Sequence, residues 1–420
     1  MALPAVQQAL RNHPEISGKA LSEQFDKMLL RPLHSLESLD RPTVVLVIDA
    51  LDECDDDANI LTIIRLLPQL QSIDALCIRI FLTSRPELPI KLGFSRIMGQ
   101  HQDFVLHEVP KVEIEHDISL FLEHKVAKIR EDHGLPDDWS GKETIRKLVE
   151  LSVPLFIFAA TTCRLLEDEP WSLAEVLTDI LIYGNESSKS IGTYQLRGTY
   201  LPVLKRFLRR ESKRQESQLI NEFRLIIGSI ILLESPLSVS AISELLDLHV
   251  EKIKWRLRPF HSVLNVPDEE SAPVRLFHLS FREFLLDSEI SDRTPLWIEE
   301  SSTHQKLSDQ CMFVCRQKLK KNICGLASGI EREEIDAMDI QELLSPALQY
   351  SCRYWVHHLV CSKKADVQNV HLFLKGCFLY WMEAMGILGR ASQVIRDLNL
   401  LQSTFDVSPF CVTSSDGSFC

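Results

Sequence analysis

The chain has 420 residues, enough for two to four domains with real cores. Its formal net charge of −13 argues against a chain-wide electrostatic footprint for nucleic acid. With 45% hydrophobic and 25% charged residues the composition is that of a globular protein.

The first 42 residues read as helix, over Ala5–Leu10 and 18–30, with Pro32 and Pro42 as breakers. Thr43-Val44-Val45-Leu46-Val47-Ile48 is then an apolar, β-branched run, the pattern of a parallel strand covered on both faces. It ends abruptly in acid: Asp49-Ala50-Leu51-Asp52-Glu53. An Asp at the carboxyl end of such a strand is where a nucleotide-hydrolysing fold holds Mg²⁺, and a following Asp or Glu can orient water, so the segment reads as a Walker B pattern.

No phosphate-binding loop of the form G-x-x-x-x-G-K-[ST] accompanies it. Gly18-Lys19 is followed by Ala20, with His13 where the first glycine belongs, and Gly141-Lys142 lies downstream of the strand and is followed by Glu143. The expectation is a chain that starts inside a domain, as a fragment or truncated gene model, or a natural relative without the loop.

Ala58–Leu70 has helical spacing behind a cap at 55–57, and Cys77-Ile78-Arg79-Ile80-Phe81-Leu82-Thr83 makes a second buried strand. The order strand–helix–strand implies a parallel crossover, which brings Thr83-Ser84-Arg85 to the same crevice as Asp49. The Arg85 guanidinium is suited to sense or neutralise a terminal phosphate there. Phe104-Val105-Leu106 is expected as a further strand.

Helices follow over Ile114–Asp132, Lys142–Leu151 and Leu155–Leu166, then a loop with a soft boundary at Asn185–Gly198. Residues 200–290 have the order of a winged helix: a buried helix at Phe223–Leu233, a capped helix at Val239–Leu246, a third at Val250–Pro259, and a hairpin from Ser262–Val266 and Val274–His278, closed by Phe281–Leu286. Residues 300–400 are helical, with Tyr350, Trp355 and Leu359 on one core stripe and Phe378, Trp381, Met382 and Met385 on another. Residues 403–420 read as a frayed tail. The expected fold is an α/β P-loop-NTPase-like partial domain with a parallel sheet, followed by a winged helix and an all-α domain. Its divisions are 1–110, 111–198 (a helical extension), 199–290, 291–402 and the disordered tail.

The eleven Cys form no C-x-x-C pair, and Cys311 and Cys315 share a helical pattern, so core or helix surface is expected for them rather than metal ligation. No secretory signal is visible, and Val153–Cys163 and Leu225–Leu233 fall short of the roughly 20 residues that span a bilayer. A reducing, cytoplasmic setting without a membrane partner is the default.

The run VVLVIDALDEC followed by FLTSRPE resembles the NACHT family of signal-transduction NTPases, and more narrowly the fungal heterokaryon-incompatibility type, grouped with nephrocystin-like N-terminal domains. LFIFAATTCRLLED, SPLSVSAISELL, RLFHLSFREFLLD, LKKNICGL and LQYSCRYWVHHL extend the likeness downstream over the helix closing the NTPase module, the winged helix and the helical region. The resemblance implies a switch in which ADP holds the domains closed and ATP opens them for homo-oligomeric assembly and contact with signalling proteins. It implies Asp49 for Mg²⁺, Asp52 or Glu53 for the attacking water, Arg85 as phosphate sensor, and His278 as a reader of the bound diphosphate. Without a phosphate loop, ATP or ADP is expected not to bind this chain tightly, and the chain alone is expected to be inactive. An alternative is a degenerate NACHT scaffold that kept the fold for protein–protein interaction and lost catalysis. A less favoured reading is a DNA-binding winged helix using Lys252, Lys254, Arg256 and Arg258 with the basic run 205–214. Alternate residues spread around a helix rather than lining one face, so nucleic acid is not the expected partner.

Overall fold

The computed structural model describes residues 3–406 apart from 14–15, 17–18, 37–40, 55, 137–138, 140, 168–172, 188–192, 210–212, 293, 326–343 and 365. The chain is mostly helical and divides into two compact units, Met1–His107 and the residues from Glu108 onward.

In the first unit, α1 (Leu3–Asn12) precedes a stretch of α2 (Leu21–Phe25), a wider π turn (Asp26–Leu30) and α3 (Arg31–His34). Pro32 does not break this stretch. The Arg31 N–H reaches five residues back to the Asp26 carbonyl, and that wider turn accommodates the ring, which ends buried. The parallel strands β1 (Thr43–Ile48) and β2 (Cys77–Leu82) pair in the register Ile48–Leu82. Between them runs α4 (Asp57–Leu66). The Asp56 carboxylate caps it by accepting from the Ala58 N–H at 2.8 Å. Ile60 and Ile64, one turn apart, seat α4 against α5 (Leu88–Ser95). The two helices approach so closely that a Cβ on Gly93 would stand 2.5 Å from Ile64 Cδ1.

The sheet differs from a strand pair buried on both sides. Leu46, Ile48, Ile78, Ile80 and Leu82 pack on Leu67, Leu70 and Ile73 and on the helices around Phe25–Leu33. The opposite face carries Val45, Val47 and Phe81 at 60%, 62% and 61% exposure. The apolar run marks a strand correctly, but among the described residues only one face is covered. The expected strand at Phe104–Leu106 is not formed either. Residues 101–105 are irregular, Leu106–Glu108 is a short 3₁₀ turn, and Phe104 is exposed.

The second unit begins with α6 (Lys111–Asp132), whose Ile118, Leu122, Val126 and Ile129 recur every three to four residues and bury one face. It packs with α7 (Lys142–Ser152) and α8 (Phe156–Glu167). Next come α9 (Leu173–Ser187), α10 (Thr193–Arg209) and α11 (Lys213–Leu232). The expected loop Asn185–Gly198 is therefore helical at both ends, its Gly, Ser and Asn content overridden by the flanking helices, while 188–192 lie outside the described residues.

Ser238 caps α12 (Val239–Leu246) by accepting from the Ala241 N–H. Then follow α13 (Val250–Leu257), two-residue strands β3 (Leu264–Asn265) and β4 (Arg275–Leu276) in antiparallel pairing, and α14 (Ser280–Leu286). The hairpin is shorter than its sequence pattern. The last helices are α15 (Glu300–Lys318), α16 (Pro346–Ser362), α17 (Val367–Ile387) and α18 (Ala391–Asp406).

Trp355 and Trp381 are fully buried and meet edge to face at 5.4 Å, and the Trp381 indole N–H donates to the Cys352 carbonyl at 2.8 Å. Tyr350, Leu359 and Met385 are buried as the stripes require, but Met382 is 44% exposed because it falls on the outer side of α17. Of the residues expected as a frayed tail, 403–406 instead complete α18, and 407–420 lie outside the described residues.

Candidate functional site

The parallel register sets the site. With Ile48 opposite Leu82, the next residues, Asp49 and Thr83, stand side by side at the carboxyl ends of β1 and β2. Thr83 bonds to four successive residues where the chain leaves β1, Ile48 to Leu51. Its N–H donates to the Ile48 carbonyl at 2.9 Å, and its carbonyl accepts from Leu51 N–H at 3.0 Å. Its hydroxyl accepts from Ala50 N–H at 2.9 Å and donates to Asp49 Oδ1.

Between these anchors Ala50 is forced to φ 52°, ψ 53°, the left-handed region. A non-glycine residue there costs about 1–2 kcal/mol, which the surrounding bonds offset. The reversal drops Leu51, 5% exposed, into the small core with Ile60, Ile64 and Ile90. The two acids after it then diverge.

Asp52 turns toward β2. Its side chain is 8% exposed, Oδ1 accepts from the Arg85 backbone N–H at 2.9 Å, and Oδ2 lies 3.6 Å from Arg85 Nε. Glu53 is exposed. Partial desolvation and then the neighbouring Asp52 charge raise its pKa above the ordinary glutamate value, against the lowering pull of Arg85. Asp49 is exposed as well, with one oxygen engaged by Thr83. Asp49, Asp52, Glu53 and Arg85 thus share one strand edge.

Among the described residues no group of three or more His, Cys, Asp or Glu is placed to hold a metal on its own. A single carboxylate with one oxygen fixed is nonetheless a fit for Mg²⁺, which takes one or two carboxylates together with water and phosphate oxygens rather than a protein cage.

The other sequence-derived candidate, His278, belongs to the second unit. Its ring is exposed, and its Nδ1 faces Ser280 Oγ at 2.7 Å and accepts from the Ser280 backbone N–H at 3.1 Å. Ser280 Oγ in turn lies 2.7 Å from the buried Tyr200 hydroxyl. His278 therefore serves the start of α14, which is one structural use for the ring.

The basic residues of α13 are largely spoken for. Lys252 and Arg256 both reach Glu222, at 2.8 and 2.5 Å, and Lys254 pairs with Glu270 at 2.7 Å. Arg256 also lies over the Trp255 ring. Three of the four cations expected to meet phosphates are thus neutralised within the unit. Of the run 205–214, the side chains of 206 and 209–214 lie outside the described residues.

Thr83 is the member of the site that motif reading passes over. It sits inside the quoted strand end, and the signal that finds it is register: a hydroxyl placed directly beside the acid of the neighbouring parallel strand.

Residues 2–85 match the family described as Nephrocystin 3, N-terminal, a span that contains Asp49, Asp52, Glu53 and Arg85. A segment of 101 residues is 32% identical to Vegetative incompatibility protein HET-E-1 of Podospora anserina, covering 21% of this chain. The chain spans 7% of the length of that relative. Together the matches support a NACHT- and HET-like family. Among the described residues no helix is long and apolar enough to cross a membrane.

Proposed function

We propose that this chain is part of a NACHT-like signalling protein that works as a nucleotide-dependent switch, with the carboxyl edge of β1 and β2 as the cation and γ-phosphate side of its site. The observation that carries the reading is the juxtaposition of Asp49 with Arg85 across two parallel strands, one side chain suited to a divalent cation and the other to a phosphate. In this reading the sheet is that of a P-loop-like NTPase. The segment from α11 through α14 acts as a winged helix, and the later helices relay the nucleotide state.

Asp49 would hold Mg²⁺, and the ion would supply charge neutralisation for phosphoryl transfer. Glu53 is the better placed of the two acids to orient water, because it is exposed and its raised pKa favours proton acceptance, whereas Asp52 is committed to Arg85. ADP favours a closed arrangement, and exchange for ATP favours assembly with other protomers and contact with signalling partners.

Nucleotide titration tests the reading. The full reading frame containing this chain binds ATP or ADP in a Mg²⁺-dependent way, and Asp49→Ala removes the Mg²⁺ dependence. The 420-residue chain by itself carries no G-x-x-x-x-G-K-[ST] and shows little nucleotide affinity. Saturable binding of a fluorescent ATP analogue by this chain at micromolar concentration would contradict the second expectation. A Mg²⁺ dependence untouched by Asp49→Ala would contradict the first.

A second reading is a scaffold that keeps the fold without catalysis, favoured by the exposed Val45, Val47 and Phe81 face, an apolar surface open to another protein. Intact, Mg²⁺-dependent hydrolysis by the full reading frame would exclude it.

A further inference from the structure

Helix α17 is apolar on two opposite sides. Val370, Phe373, Cys377, Trp381 and Ala384 bury one side in the core of the second unit. On the other side Leu372 and Leu379 are 65% and 73% exposed, and Met382 is exposed with them. Leu372, Leu379 and Gly386 recur every seven residues, as do Lys375 and Met382, so all five fall on one face with the spacing of a helix–helix seam. Gly376 and Glu383 flank Leu379 on that face.

The glycines distinguish this face from a stray apolar patch. Gly376 lies mid-helix, where glycine is a poor helix former. At Gly93 the reason for glycine is internal, since a Cβ would meet Ile64, but a Cβ on Gly376 or Gly386 would meet nothing within 4 Å. Both positions leave hollows beside exposed large side chains, a relief that a second helix can enter.

The face is complementary to itself in one orientation. An antiparallel pairing of two α17 helices about a two-fold axis at Leu379 sets Leu379 against the partner's Leu379. Leu372 then stands level with the partner's Gly386, and Met382 with the partner's Gly376, so each of these layers joins one bulky side chain to one glycine. Lys375 stands level with the partner's Glu383, and the symmetry repeats that pairing. The Glu383 carboxylate is fixed by the Asn322 and Ile323 N–H groups at 3.1 Å each, and its oxygens keep lone pairs for an ammonium group. A parallel pairing would instead set Lys375 against the partner's Lys375 and leave glycine opposite glycine.

We propose that the outer face of α17 is the docking surface for a second copy of this chain, in an antiparallel two-fold seam centred on Leu379. One helix per protomer is a seam at the small end of specific interfaces, so the dimer is reversible, with a dissociation constant on the order of 10 μM. The seam uses only residues of the second unit and is independent of the nucleotide reading of the β1–β2 edge.

Sedimentation velocity of the full 420-residue chain tests this, in reductant and without nucleotide or Mg²⁺, from about 1 to about 100 μM. Monomer is expected at the low end and dimer at the high end. Gly376→Leu fills space that is open in the free chain, so its urea midpoint stays at or above the parent's while dimerisation weakens at least about tenfold. Leu379→Glu places two carboxylates at the axis and weakens dimerisation by at least as much. Lys375→Glu and Glu383→Lys each weaken their own self-association, and an equimolar mixture of the two restores it, because the mixed pair matches at both ends. Asp49→Ala dimerises as the parent does.

A chain that stays monomeric over the whole range overturns the proposal, and the face then serves another protein or none. A dimer that Gly376→Leu and Leu379→Glu leave intact also overturns it, because that dimer uses a different surface. A mixture of Lys375→Glu and Glu383→Lys that associates no better than either variant alone overturns the antiparallel seam.

Discussion

Ala50 concentrates the physical logic of the site in one residue. Its left-handed backbone lets Leu51 enter the core while Asp49 and Asp52 stay at the strand edge. Ala is the smallest side chain that carries a Cβ into this conformation, and a β-branched residue there is strained further. Ala50→Val is expected to destabilise the first unit by about 1–2 kcal/mol, while Ala50→Gly stays within about 1 kcal/mol of the parent, because relief of strain and added chain entropy offset each other. Urea unfolding checks both, and equal stability of the Val variant would mean that the turn is not held as described. The acids Asp49, Asp52 and Glu53 and the sensor Arg85 were legible in sequence as types at a strand end. What distinguishes Asp52 from Glu53 was not, because the left-handed turn that sends one inward and the other outward comes from bonds to Thr83 more than thirty positions away.

Elements were most legible where a local signal and a packing pattern agreed. Asp56 and Ser238 both cap the helices that their sequence positions announce. The faces of α6 and α4 follow apolar spacing. Signals failed where tertiary context overrode them, as at Pro32, accommodated by a π turn, and at Phe104–Leu106, an apolar triplet left exposed rather than paired.

The α4–α5 contact yields an element-scale prediction. Gly93→Val places atoms against Ile64, which is fully buried, and is expected to cost about 1–3 kcal/mol through overpacking, read as a lower urea midpoint.

A second element-scale prediction concerns α15 and α16. Glu234 N–H donates to the Tyr350 hydroxyl at 3.1 Å, the Tyr350 hydroxyl meets His358 Nε2 at 2.7 Å, and His358 Nδ1 meets His304 Nδ1 at 2.8 Å. The Tyr350–His358 and His358–His304 contacts each pair one donor with one acceptor, which neutral rings supply. Burial lowers the pKa of His304 to about 4 and of His358 to about 2. Groups that stay neutral in the fold but charge when unfolded contribute stability that is fully present above the unfolded value of about 6.5 and is lost as pH falls below it. Unit 2 should therefore lose on the order of 3 kcal/mol between pH 6.5 and 5 from this pair.

His357 works in the opposite direction. The Cys361 and Glu234 hydrogen bonds raise its pKa to about 10, so its contribution is present below about 6.5 and fades as pH rises toward 10. Denaturant midpoints across pH should peak near pH 6.5–7, and a midpoint that holds steady or rises down to pH 5 would contradict the neutral histidine chain.

At the scale of the whole molecule, the two compact units carry different parts of the reading. The first holds the strand edge and contains the family match over residues 2–85, while the second holds the helical core and the hairpin segment. The sequence pattern showed two parallel strands with acid at the end of one, and the structure places them as neighbours. It did not show that one sheet face stays open, since the same Val-rich run suits a strand covered on one side or on two. Nor did it show that the cations of α13 would be neutralised by Glu222 and Glu270, partners distant in sequence.

The central claim is that the β1–β2 edge is the hydrolytic side of a nucleotide switch. Its most direct test is Mg²⁺-dependent ATP hydrolysis by the full reading frame containing this chain, compared with its Asp49→Ala variant. The variant is expected to lose the Mg²⁺-dependent rate, by at least about a hundredfold given the several kcal/mol a catalytic metal supplies. Hydrolysis by Asp49→Ala at the parent rate would contradict it.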